Sequence, residues 1–281
     1  MRLYQPLFPA ALAARLFPGV FAALLLVACA APSYVPAPSA NDVRTDRTDK
    51  AFDLDPAITR VAIDNPWGEI TIRGRDEREV GIHAVIQRNG PHYAKPAFRS
   101  HREGDTLHVE IGFDGSTAGT HAAGRIDAAV FVPGELALTL STRDSRIAAK
   151  RRAGAIEASS DSGDILASSY GRLTLRTNSG LIRATAIGAR WNGASTIESA
   201  SGRIVLLVPT FGDIALDVQT GGALSTNFGL SVHATPAGGS QARARYGAGT
   251  SQLRVRSGSG EVVLEQLVLL GEDNRLPEDD D

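Results

Sequence analysis

Six histidines, one cysteine and a few closely spaced aspartates are the residues of this 281-residue chain whose types could support metal binding, thiol chemistry or acid–base work. The histidines, His83, His92, His101, His108, His121 and His233, do not fall at metal-ligand spacing with acidic or cysteine partners, so the sequence predicts no metal site. Asp161 and Asp164 flank Gly163, and Asp213 belongs to a later repeat. On adjacent coils these carboxylates would gather a calcium ion or serve as acid and base for a polysaccharide. Turn formation is the simpler role, because an aspartate in a turn bonds its own backbone. No nucleophile elbow, phosphate-cradling loop or dinucleotide fingerprint occurs, and the glycines stand between strands rather than before helices. No cofactor is expected, and the reading is of a protein without catalytic turnover.

A binding surface has better support. Between Leu140 and Val205 ten Lys or Arg residues face five acidic ones, and the alternation of the segment would align several of them on one outer face. Arg172, Arg176, Arg183 and Arg203 are the expected contacts for an anionic ligand, since guanidinium forks suit phosphate and carboxylate. The bland alternative is a charged face kept for solubility. The net charge of −2 gives no field that favours nucleic acid, which is not an expected partner.

The first forty residues read as an export segment. No acidic residue precedes Asp42, Arg2 and Arg15 come before the apolar run from Val20 to Ala28, and small residues follow. That run is far shorter than the roughly 20 residues of a membrane-spanning helix. Leu26-Val27-Ala28-Cys29 resembles the lipobox of bacterial lipoproteins, and the resemblance implies cleavage before Cys29 and a diacylglycerol and palmitate-type anchor on its thiol. Ala30 rather than Asp follows the cysteine, which by the same resemblance implies the outer membrane. The alternative is an ordinary secreted protein whose cleavage site includes a cysteine.

The elements behind any site must come from the body, which is 43% apolar, with 29 glycines and only 6% aromatics: enough apolar surface for one core, in a fold of many tight turns. From about Arg60 onward short period-two runs are separated by Gly, and no helical period of convincing length appears. A unit of Gly, any residue and an aliphatic recurs at Gly154, Gly163, Gly171, Gly180, Gly202 and Gly212, with every second glycine of the first four 17 residues apart. Constant spacing predicts the coil of a single-stranded right-handed β-solenoid, with Gly supplying positive φ or close backbone approach at the corners. Ile156, Ala158, Ile165, Ala167, Leu173, Leu175, Ile182, Ala184, Ile204, Leu206, Ile214, Leu216 and Val218 are the expected interior. Glu157, Asp164, Arg172, Arg176, Arg183 and Arg203 should face water. A β-sandwich with regular Gly turns is the alternative fold.

The Ser-Gly-x-Ile ladder, preceded by Val61-Ala62-Ile63 and Gly68-Glu69-Ile70-Thr71-Ile72, resembles the putative-adhesin family of bacteria over about Ala57 to Leu267. The resemblance implies an exported β-solenoid and leaves the molecular activity open. The segment from Gly188 to Thr196 and the loop from Asn89 to Arg102 depart from the ladder and would carry Trp191 or Tyr93 to the surface.

The domain reading is a signal peptide at 1–28, a lipidated N terminus and Pro/Ala/Ser-rich tether at 29–56, an N-terminal β region at 57–133 that either caps the solenoid or forms wider coils of it, the repetitive solenoid at 134–270, and an acidic tail at 271–281. The expected function is an envelope lipoprotein presenting a repetitive β surface for adhesion or scaffolding, attached to the membrane by its lipid and contacting anionic polysaccharide or an envelope protein. The competing classes are a β-helical enzyme acting on polysaccharide and a periplasmic accessory that binds a protein through an uncovered strand edge.

Overall fold

The computed structural model describes residues 43–89, 94–115, 124–188, 191–210 and 212–268; Cys29, Tyr93, Arg190 and the acidic tail lie outside the described residues. All the regular elements described are strands, and among the described residues no helix is long and apolar enough to cross a membrane. The first part of the body contains β1 (Val43–Asp53), β2 (Arg60–Asp64), β3 (Ile70–Arg75), β4 (Glu79–Asn89), β5 (Pro96–Glu103), β6 (Thr106–Phe113) and β7 (Gly124–Pro133). The ladder region follows as β8 (Ala137–Thr142), β9 (Ile147–Arg152), β10 (Ile156–Ser160), β11 (Ile165–Ser169), β12 (Leu173–Thr177), β13 (Ile182–Ala186), β14 (Ala194–Ser199) and β15 (Ile204–Pro209). The chain closes with β16 (Ile214–Thr220), β17 (Leu224–Thr226), β18 (Val232–Ala234), β19 (Ser240–Tyr246), β20 (Ser251–Ser257) and β21 (Val262–Leu267).

From β6 to β18 successive strands alternate between two sheets. The first runs β1-β4-β7-β3-β9-β11-β13-β15-β21-β17 and the second β5-β6-β2-β8-β10-β12-β14-β20-β16-β19-β18. Each coil therefore contributes one strand to each sheet, and the stacked strands pair in parallel: Ile156 opposite Leu173, Ile165 opposite Ile182, Ile182 opposite Ile204. All the residues expected inside are buried, at no more than 4% exposure, because the two-residue period of a strand turns alternate side chains into the space between the sheets. The all-β expectation holds, with parallel stacking where a sandwich of hairpins would be antiparallel.

The coils do not stack in the order in which they are made. The coil β2–β3 lies between β6–β7 and β8–β9, and the last coil, β20–β21, lies between β14–β15 and β16–β17. Antiparallel strands finish both sheets at one end, β1 and β4 in the first and β5 in the second, and the second sheet at the other, β19 and β18, where the first sheet ends on the parallel β17. One boundary of the sequence reading changes accordingly. Val43–Asp53, within the expected tether, is a full strand paired along its length with β4; its charged side chains hide the alternation and blunt an edge. In the region 57–133, of the two alternatives the sequence leaves, β2, β3, β6 and β7 take the second and continue the parallel coils.

The glycine ladder works by close approach. A Cβ built on Gly163 would lie 1.9 Å from the Ser145 carbonyl oxygen, one on Gly180 2.1 Å from that of Gly163, and one on Gly202 2.0 Å from that of Gly180. Gly154 would meet the Leu136 carbonyl at 2.3 Å and Gly171 the backbone of Ala155 at 2.9 Å, whereas Gly212 is the member that takes positive φ, at 86°. Beside the ladder runs a second one that the motif had not included. Ser160 Oγ accepts the N–H of Gly163, Thr177 Oγ1 that of Gly180 and Ser199 Oγ that of Gly202, so a buried hydroxyl three residues before each glycine satisfies the turn.

The ladder carries a bulge in β9. Ile165 is opposite Ile147, but Ser169 is opposite Arg152, so β9 carries one extra residue. Arg151 absorbs it at φ 54° and donates its N–H to Ser168 Oγ at 2.7 Å. Arg152 then turns inward instead of joining the basic surface: it is 1% exposed and donates to the Val132 carbonyl at 3.3 Å and to that of Pro133, while its Nε has no partner. Burial lowers its pKa. Trp191 also reverses its expected position. It is 6% exposed, its Nε1 donates to the Gln252 carbonyl at 3.1 Å, and its own carbonyl accepts Ser251 Oγ at 2.9 Å, so the long corner pins the start of β20.

Candidate functional site

The parallel register sorts the expected anion-binding arginines onto different surfaces. Arg176 faces out from β12 in the second sheet, Arg183 faces out from β13 in the first, and Arg172 and Arg203 occupy corners of opposite sense, before β12 and before β15. A single stripe through all four does not exist, because strands that alternate between sheets send outward residues in opposite directions. Arg203 is held by Glu261 at 3.0 Å, whereas Arg172 and Arg183 have no ion-pair partner among the described residues.

What the structure brings together is one half of the second sheet. Across the coils, Ser159, Arg176, Glu198, Arg256 and Gln219 lie opposite one another in one outward row. Glu157, Thr174, Thr196, Arg254, Asp217 and Arg243 form the next. Rows arise because parallel in-register strands repeat the same side-chain direction at a spacing of about 4.8 Å. Arg176 grips Glu198 with Nε and Nη2, at 3.0 and 2.7 Å. Arg256 reaches Asp217 at 2.6 Å, Arg243 reaches its other oxygen at 3.5 Å, and Arg254 donates to Gln252 at 2.8 Å. The hydrogen bond from Arg256 is the main reason that the Asp217 carboxyl is held below its usual range, against a smaller opposing effect of burial.

From β12 through β19 the outward charges are Arg176, Arg254, Arg256, Arg243 and Arg245 against Glu198 and Asp217, five cations to two anions. An open groove beside them is lined by Arg176, Asn178, Glu198, Ala200, Arg256 and Gly258. Ion pairs orient Arg176, Arg243 and Arg256, each of which keeps N–H donors for a ligand. Sequence reasoning found Arg176 alone of this set. Arg254 and Arg256 belong to the inserted strand β20, which only the topology puts next to β14, and Arg243 and Arg245 to β19, two strands further out beyond β16.

The carboxylates considered for calcium or catalysis stay apart. Asp161 and Asp164 sit in the turn from the second sheet to the first, and Asp213 in a turn of the reverse sense. Asp164 accepts the Leu181 N–H at 2.8 Å and Asp213 that of Ala248 at 2.7 Å, so both are engaged in joining one turn to the next.

No protein-family model and no curated protein matches this chain significantly. Among solved structures, a putative cell adhesion protein from Clostridium sporogenes aligns with 80% of this chain and 100% of its own, at TM-score 0.50 and 14% identity. A putative adhesin from Bacteroides fragilis aligns over 81% of this chain and 98% of its own at TM-score 0.29 and 10% identity. Another, from Parabacteroides merdae, covers 79% and 96% at TM-score 0.21 and 9% identity. The first similarity is one of fold, in keeping with the two-sheet coil described above.

Proposed function

We propose that the chain is a non-enzymatic protein of the bacterial envelope, anchored through lipid on Cys29, whose second sheet binds anionic envelope polymers such as lipopolysaccharide and so serves adhesion or scaffolding. The observation that carries this reading is the face from β12 to β19, with five outward arginines against two carboxylates on adjacent, in-register strands. A face with a repeat at strand spacing engages an extended polymer at several successive points, and the guanidinium forks pair with its phosphates or carboxylates. The name of the Clostridium neighbour, a putative cell adhesion protein, fits the same role. The envelope location rests on the export segment and lipobox read in the sequence.

The test is co-sedimentation of the full chain with purified lipopolysaccharide at low and high salt. Salt-sensitive retention, reduced about tenfold by the double substitution Arg254→Glu and Arg256→Glu but unchanged by Arg183→Glu on the opposite sheet, supports the proposal. Equal retention of all three overturns it. Sugar released into the supernatant would favour the polysaccharide-acting enzyme instead.

A further inference from the structure

The hairpin β5–β6 brings together ligating side chains that the sequence kept apart. Glu103-Gly104-Asp105-Thr106 closes with a two-residue turn in which Gly104 takes φ 59°, the first-position glycine of a II′ hairpin. Two strands leaving such a turn pair symmetrically about it, so His101 falls directly opposite His108 and Glu103 opposite Thr106. The two imidazoles stack at 4.8 Å between ring centroids and within 6° of parallel. Glu103, two residues from His101 and so on the same face, reaches diagonally to His108, with Oε2 at 3.6 Å from Nε2. One ligand atom from each of the three residues lies within 4.8 Å of the others, and this is the sole group of its kind among the described residues.

We infer that His101, Glu103 and His108 form a surface site for a borderline divalent metal ion, zinc in the first instance. Two imidazoles and one carboxylate are a donor set suited to zinc, with ligand bonds of about 2.0–2.2 Å and a fourth position left to water. The spread of 4.8 Å closes to that geometry by side-chain rotation alone, since His101 and Glu103 are exposed and the backbone already sets the three Cβ atoms on one face. Neighbouring charged groups are engaged elsewhere. Arg102 pairs with Asp55 at 3.0 Å and the Gly104 carbonyl at 2.8 Å, Arg60 contacts Thr139 and Glu157, Asp105 accepts the Thr59 hydroxyl, and Arg99 pairs with Asp114. No guanidinium is therefore hydrogen-bonded into the group. The position adds a consequence: β5 is the outermost strand of the second sheet at this end, so a bound ion ties a sheet edge to its neighbour and offers its open position outward.

The experiment is calorimetric titration of the metal-free full chain with zinc chloride, using a tag without histidines and the Cys29→Ser background so that the thiol does not compete. The expected result is one zinc per chain, with affinity reduced at least tenfold by His101→Ala and by His108→Ala, several-fold by Glu103→Gln, and not at all by His83→Ala or His233→Ala. Cobalt(II) should give the intense visible bands of a four- or five-coordinate ion, lost in the same variants. Absence of binding at micromolar zinc, or binding indifferent to His101 and His108, overturns the inference. These side chains are at the surface, so the variants should retain the thermal transition of the parent, which the same samples report.

Discussion

Gly180 faces the carbonyl oxygen of Gly163 so closely that a Cβ on Gly180 would stand 2.1 Å from it. The contact is backbone to backbone and has no flexible atom to give way. Gly180→Ala should therefore force neighbouring coils apart and cost about 3 kcal/mol, at the upper end for overpacking. Gly74→Ala, where nothing lies within 4 Å, should be neutral or slightly stabilising. Urea denaturation of the two variants separates close approach from a general glycine effect.

Trp191→Ala should cost about 3–5 kcal/mol, the range for a buried tryptophan, because it removes both a packed ring and the Nε1 bond to Gln252. The loss should be local at first. Hydrogen exchange is expected to accelerate in Ser251–Ser257 before it does in β10 or β12, since that strand begins against the Trp191 corner. Uniform acceleration through the body would show that the corner does not hold the inserted coil.

Arg152→Ala leaves the Val132 and Pro133 carbonyls without their donor and opens a cavity, for an expected loss of about 2–4 kcal/mol. Arg152→Lys should recover little, because one ammonium lacks the fork that spans both carbonyls. Thermal unfolding of the pair checks this.

The pairing of Asp217 with Arg256 gives a pH dependence of known sign. The folded carboxyl titrates below its ordinary 3.8, so its contribution is complete above that value and disappears as the pH falls through the lower folded value. Asp217→Asn should flatten that part of the acid unfolding curve while leaving stability near pH 7 only slightly reduced, the pair being partly exposed.

The stacked body was legible because one strand per sheet per coil gives a short, repeated signal: glycine at the corner, Ile156 or Ile165 two residues later, alternation after that. The hydroxyls of Ser160, Thr177 and Ser199 were equally regular, three residues before their glycines, yet they look like surface residues until the turn is seen to bury them. The pairing of His101 with His108 is encoded as well, since the two stand equally far from Gly104-Asp105, but their spacing along the chain means nothing for ligation until that turn fixes the register. Arg152 and Trp191 are each buried by a local irregularity, a bulge and a long corner, that strand alternation does not announce. The place of β20–β21 had no local signature at all. Its apolar pattern fits beside any coil, and only the competition among all the sheets' free edges selects the gap between β14–β15 and β16–β17.

That interleaving bears on how such a chain can change length over evolutionary time. Each end is closed by a segment that belongs beside a partner laid down out of turn, so a duplicated unit added at either end would separate strands that must stay adjacent. Between β8 and β13 the order in space is the order in the gene, and a duplication of one coil there would be absorbed without disturbing either terminus. Lineages descended from this architecture should therefore vary in the number of central coils while keeping both closures intact.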